Sequence, residues 1–115
     1  GGDIKEIKAY VHRAHIAEVI AALKSCLAWG GTDGHTRHNL AIYVVKGMLS
    51  PLDTGELRYS IDIGDEAINE YKLELLCQDD EVDDFVDALV AVAHTSQLVG
   101  GWITVTDIVR SMAIR

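Results

Sequence analysis

Five histidines, two cysteines and one dense acidic run are the side chains in this sequence whose chemistry could go beyond packing. His35 and His38, with Asp33 beside them, lie in the stretch Gly30-Gly-Thr-Asp-Gly-His-Thr-Arg-His38. Imidazole is the commonest metal-binding side chain, and these two are close enough in sequence to share an ion. No cysteine or third histidine adjoins them; His12, His15 and His94 lie elsewhere in the sequence. A metal site here would be completed by symmetry copies of the chain. The acidic run Asp79, Asp80, Glu81, Asp83 and Asp84 opens a helical pattern, where carboxylates complement the helix dipole. It lacks the alternation and central glycine of a calcium loop. Cys26 and Cys77 fall in a helical and a strand pattern without CxxC spacing, as expected of buried reduced thiols. No nucleophile elbow and no Walker lysine with a following hydroxyl occurs, so the chain reads as a binding protein and not an enzyme.

The elements that position these residues follow from periodicity. Ile7, Ala9 and Val11 alternate with Lys8 and Tyr10, which predicts a strand over residues 4–11. Ile16, Val19, Ile20, Leu23 and Leu27 recur at helical spacing and predict a helix that ends at Trp29-Gly30-Gly31. Residues 30–38 carry neither period and are expected to form a loop. Leu40, Ile42 and Val44 predict a second strand reaching Gly47. Met48 to Glu66 reads as a long surface excursion, unusual in a small domain and therefore a candidate for function. A third strand from Ile68 to Cys77, a helix with its apolar stripe on Val82, Phe85, Val86, Leu89, Val90 and Ala93, and a strand opened by Gly100-Gly101 complete a second βαβ unit. Residues 107–115 are expected to form a short helix or an extra strand.

Two βαβ units in 115 residues predict one α+β domain, a ferredoxin-like βαββαβ sandwich with both helices on one face of an antiparallel sheet. Ile, Val and Leu in all four strands predict an apolar second face covered by self-association. The net charge of −8 lacks the basic footprint for nucleic acid or anionic lipid, so neither is expected as a partner. No run approaches the ~18 apolar residues of a membrane span, which predicts a soluble, cytoplasmic protein without membrane insertion. Gly1-Gly2 reads as a cloning scar.

Element order and motifs together resemble the PII signal-transduction family. In that family a Lys-Gly step precedes a long T-loop, and a Thr-Gly-x-Ile-Gly-Asp-Gly-Lys stretch, the B-loop, opens the last strand. Lys46-Gly47 falls at the first and Thr95-Ser-Gln-Leu-Val-Gly-Gly-Trp102 at the second. The resemblance spans Lys5 to Arg115, apart from extra residues around Gly31 to His38. It implies a homotrimer that binds adenine nucleotides in clefts between subunits and regulates a transporter, enzyme or transcription factor through a T-loop, here Met48 to Glu66. The implied nucleotide contacts are Gly47, Leu76, Thr95, Val99, Gly100, Gly101, Trp102 and Arg115, and the implied partner contacts Arg58 and Tyr59.

The departures narrow the ligand. Trp102 stands at the B-loop lysine, Ser50 at the arginine after the Lys-Gly step, and Ala113 at the first arginine of a terminal pair, leaving Arg115. Charge-assisted contacts are about twice as strong as neutral ones. The thinner cation set therefore implies AMP, ADP or a cyclic nucleotide in preference to Mg-ATP. Leu49 and Pro51 replace the glycine and glutamine that help hold Mg-ATP and 2-oxoglutarate. Divergent PII-like proteins serve bicarbonate uptake, carboxysome function and metal efflux, so a small anion such as bicarbonate is an expected co-ligand. The alternative is a trimeric CutA-like metal-tolerance protein that uses His35 and His38.

Overall fold

The computed structural model describes residues 3–47, 58–60, 65–94 and 99–115, with backbone alone for 58–60 and 65–68. The period of two in the first strand places Ile7, Ala9 and Val11 on one buried face of β1 (Ile4–His12). The same alternation buries Leu73, Leu75 and Cys77 on β4 (Asp65–Gln78). Antiparallel register pairs Ile7 with Leu75 and Ala9 with Leu73, so the two apolar rows form one central floor. The edges are β2 (Ala41–Gly47), paired with β4, and β5 (Gly101–Asp107), paired with β1. Strand order is β2-β4-β1-β5, and the short β3 (Arg58–Ser60) pairs with the start of β4. The two strands of each βαβ unit thus run parallel with a strand of the other unit between them. This α+β arrangement is compatible with a ferredoxin-like fold.

Two helices cover that floor. Val19 and Leu23 from α1 (Ile16–Ser25) and Phe85 and Leu89 from α3 (Val82–Ala93) are all fully buried against the strand rows. A turn over Asp79–Glu81 leads into α3, where Gln78 and Glu81 form a capping box; the Gln78 amide donates to Glu81 Oε1 at 2.8 Å. The acidic run is therefore part of a capped helix start. Among the described residues, no helix is long and apolar enough to cross a membrane.

The structure corrects four expectations. First, α1 ends at Ser25, because Cys26 turns extended (φ −66°, ψ 141°) and starts a single turn over Leu27–Trp29. Tertiary ties offset the lost helical bonds: the Ala28 amide donates to Asp84 Oδ2 at 3.3 Å, and Cys26 Sγ lies 3.7 Å from the Asp84 carbonyl. Leu27 leaves the apolar stripe and is 97% exposed, while Trp29 is buried. Second, the expected loop holds a turn over Gly31–Asp33 and a short α2 (Gly34–His38), entered through left-handed Gly30. Third, the excursion from Met48 to Glu66 contains β3 and the first residues of β4, while residues 48–57 and 61–64 lie outside those described. Fourth, residues 108–115 are neither helix nor strand; the Ile108 amide still donates to the Ile4 carbonyl, and the chain then leaves the sheet.

The second sheet face also differs from the apolar surface that was expected. Alternation sends Glu6, Lys8, Tyr10, Lys72, Glu74, Tyr43 and Trp102 there. Most of the Ile, Val and Leu that recur in the strands occupy the helix-facing rows, including Ile42 and Val44 on edge strand β2, where they are partly exposed.

Truncation separates the two helical expectations. Leu23→Ala should destabilise the protein by about 2–5 kcal/mol in urea unfolding. Leu27→Ala should change it by no more than about 0.5 kcal/mol. Equal losses at both positions would restore the continuous helix.

Candidate functional site

A cavity of about 260 Å³ opens where α3 ends beside the start of β5. Val11, Leu89, Ala93 and Ile103 supply its apolar lining, with Tyr10, His94, Gly100, Gly101 and Trp102 around them. Its origin lies in the sheet register. Gly101 pairs with Val11 on the helix-facing side and has no side chain to fill the space above it. A methyl there would strike the Tyr10 carbonyl, so glycine is required for β5 to approach β1. Trp102, on the opposite side of β5, is 61% exposed. Among the described lining residues His94 is the only basic side chain, so the cavity favours a largely apolar, planar group with little negative charge.

The residues expected to bind nucleotide divide among three places. Gly100, Gly101 and Trp102 line the cavity, and the partly exposed Val99 precedes them. Gly47 ends β2 on the other edge of the sheet, three strand spacings away, or roughly 14 Å. Leu76 pairs with Glu6 near the opposite end of the sheet, and the tail bearing Arg115 leaves from that end too. Ser111 of this tail lines a small recess with Leu76, Arg37 and His38. Within one chain, then, Leu76 is not brought to Gly101, and the tail that carries Arg115 starts from the Leu76 end of the sheet. Thr95 lies outside the described residues, and for Arg58 and Tyr59 only the backbone, in β3 beside Ala67 and Glu66, is described.

The histidine pair is arranged for packing. His38 is buried between Trp29, stacked at 5.3 Å, and Phe85, edge-on at 5.0 Å. Its Nδ1 lies 2.7 Å from the Leu76 carbonyl and its Nε2 2.8 Å from the Ala28 carbonyl. Carbonyl oxygens only accept, so the ring N–H donates to one of them, and both ring nitrogens are directed at backbone oxygens. His35 is exposed and stands edge-on to Trp29 at 5.2 Å. Among the described residues no group of three or more His, Cys, Asp or Glu converges as a metal cage.

Two further groups matter to the chemistry. Lys72 lies 5.3 Å from the Tyr43 ring and 5.9 Å from the Tyr10 ring, and its hydrogen bond to Glu74 raises its affinity for the proton. Burial, followed by the charges of Glu81, Asp79 and Asp80, pushes the Cys77 thiol from 9.0 up to about 11. Sequence reasoning missed the His38 clamp and also missed Glu70, which is buried across from His12 at the β2 end. A polar residue flanked by strand positions carries no sign of burial until register is known. The chain matches no protein-family model and no curated protein.

His38→Ala should destabilise the fold by about 2–4 kcal/mol, through lost hydrogen bonding and a cavity between Trp29 and Phe85. His35→Ala should stay within about 0.5 kcal/mol; urea unfolding of both variants checks this. A thiol raised from 9.0 to about 11 holds roughly a hundredfold less thiolate at pH 8. Maleimide should accordingly leave Cys77 unlabelled in the native protein and label it in urea.

Proposed function

We propose that this chain is a PII-like signalling protein that binds an adenine nucleotide, AMP or ADP in preference to Mg-ATP, in clefts between the subunits of a homotrimer. The nucleotide state is read by a transporter or enzyme through the segment from Met48 to Glu66, with Arg58 and Tyr59 as partner contacts and a small anion such as bicarbonate as co-ligand. The observation that carries the reading is the cavity at the opening of β5, where exposed Trp102 adjoins Gly100 and Gly101. An exposed indole at the cavity, beside a glycine backbone, offers a stacking surface for a purine.

The size of the cavity supports a shared site. At about 260 Å³ it falls below the usual range for a whole cofactor and suits a base. Gly47 stands on the opposite sheet edge, so a ligand touching both Gly47 and Gly101 belongs between two copies. The chain is acidic, and the cavity lining offers only His94 as a basic group, which supports a ligand of low phosphate charge. Binding that orders the middle segment would present the partner with one of two states.

Calorimetric titration with adenosine, AMP, ADP, ATP and cyclic AMP, with and without bicarbonate and magnesium, tests the reading. Saturation near one site per chain is expected, with AMP or ADP preferred, and sedimentation should give a trimer. Base stacking on aromatic side chains contributes about 1–3 kcal/mol, so Trp102→Ala should weaken binding about tenfold or more. No heat with any nucleotide would overturn the proposal.

A further inference from the structure

The end of the chain leaves the sheet with its apolar side chains uncovered. Beyond the hydrogen bond from the Ile108 amide to the Ile4 carbonyl, residues 108–115 continue as neither helix nor strand. Val109, Met112 and Ile114 are 99%, 77% and 101% exposed. Folding within one chain thus leaves three large apolar groups in water along one short arm, which marks an interaction surface. The arm contains no glycine or proline, and extension would put Ile108, Met112 and Ile114 on the same side of a strand. Its charged side chains are Arg110 and Arg115, both positive, on a chain of net charge −8.

A surface that matches the arm lies on β2. This strand ends the strand order, and among the described residues no strand pairs with its outer side. Residues 41–45 carry no charge, and Ile42 and Val44, on the helix-facing side, remain partly exposed. An uncharged open edge of this kind readily accepts a further strand. The opposite edge, β5, carries Thr104, Thr106 and Asp107 instead.

We propose that the arm of one copy docks as an added strand on the β2 edge of a second copy, with Met112 and Ile114 beside Ile42 and Val44. Arg110 and Arg115 then approach an acidic neighbour, which favours the contact. Arm and edge are different surfaces, so the contact runs head to tail: each copy gives one arm and receives another, and a finite oligomer closes as a ring. The inference shares self-association with the nucleotide reading above and none of its ligand contacts.

Sedimentation equilibrium of the full chain and its variants is the test. The wild type should form a closed oligomer at micromolar concentration. Met112→Asp/Ile114→Asp in the arm and Val44→Asp on the edge should each weaken self-association by about tenfold or more, because a carboxylate is costly to bury against apolar groups. Leu27→Asp, at a residue equally exposed but on neither surface, should assemble like the wild type. An equimolar mixture of the arm and edge variants should give a heterodimer, since the first keeps an intact edge and the second an intact arm. Thermal unfolding establishes that the variants fold, and Met112→Ser/Ile114→Ser or Val44→Thr replaces one that does not. Wild-type assembly in folded arm and edge variants would overturn the docked arm and leave self-association through another face. No heterodimer from the mixture would overturn the pairing of arm with edge. A monomeric wild type would overturn the docked arm together with the trimer of the nucleotide reading.

Discussion

The antiparallel pairing of β1 with β4 is the constraint on which the rest of the molecule depends. It runs from Ile4 opposite Gln78 to His12 opposite Glu70, and it joins two strands contributed by different βαβ units. Because side chains alternate along each strand, one register places Ile7, Ala9, Val11, Leu73, Leu75 and Cys77 on a single apolar floor. A slip by one residue would turn that floor to the opposite side and bring Lys8 and Lys72 under the helices. The same register determines which glycines meet which neighbours. It sets Gly101 above Val11, opening the cavity, and it brings Glu70 to the end of β2, where the carboxylate covers Gly47.

The helix-free face follows from this arrangement and bears on how copies of the chain would meet. Glu6 pairs with Lys8 at 3.4 Å and Glu74 with Lys72 at 3.2 Å, while Lys72 also lies between Tyr10 and Tyr43. A face of paired charges and aromatic rings does not associate by bulk hydrophobicity. Contacts there would depend on matching rows of charge, which favours defined register over nonspecific aggregation. Such ion pairs contribute little in isolation, so their role is orientation more than stability.

The stretch around His38 ties the two βαβ units together. Through its ring, the short α2 is joined to the Leu76 carbonyl on β4 and to the Ala28 carbonyl after α1, with Trp29 and Phe85 closing over it. Gly34 lets this helix lie against the Trp29 indole, where a methyl would collide. Outside the clamp, Arg37 reaches Glu81 at 3.3 Å, connecting α2 to the capped start of α3. These residues lie in the connection from α1 to β2, and their contacts hold the layers together.

Much of the architecture was legible in the sequence because it is local. Alternation in residues 4–11 and 40–47, the helical stripe through Phe85 and Leu89, and the acid-capped start of α3 depend only on period and first-turn charge, and the structure contains each of them. Non-local contacts were not legible. Asp84 holds the chain just after Cys26 and ends α1 before Leu27, although the helical period continues through that residue. His38 looked like a ligand in a polar loop until two carbonyls from distant segments converged on it. The sequence by itself determined the alternation of β1 and β2 and the apolar stripe and acidic start of α3, since those properties lie within a few residues of chain. Only the tertiary structure decided that Gly101 opens a cavity, that Glu70 covers Gly47, and that Leu76 lies at the other end of the sheet. Those relations depend on strand register and order, which join residues far apart in the chain.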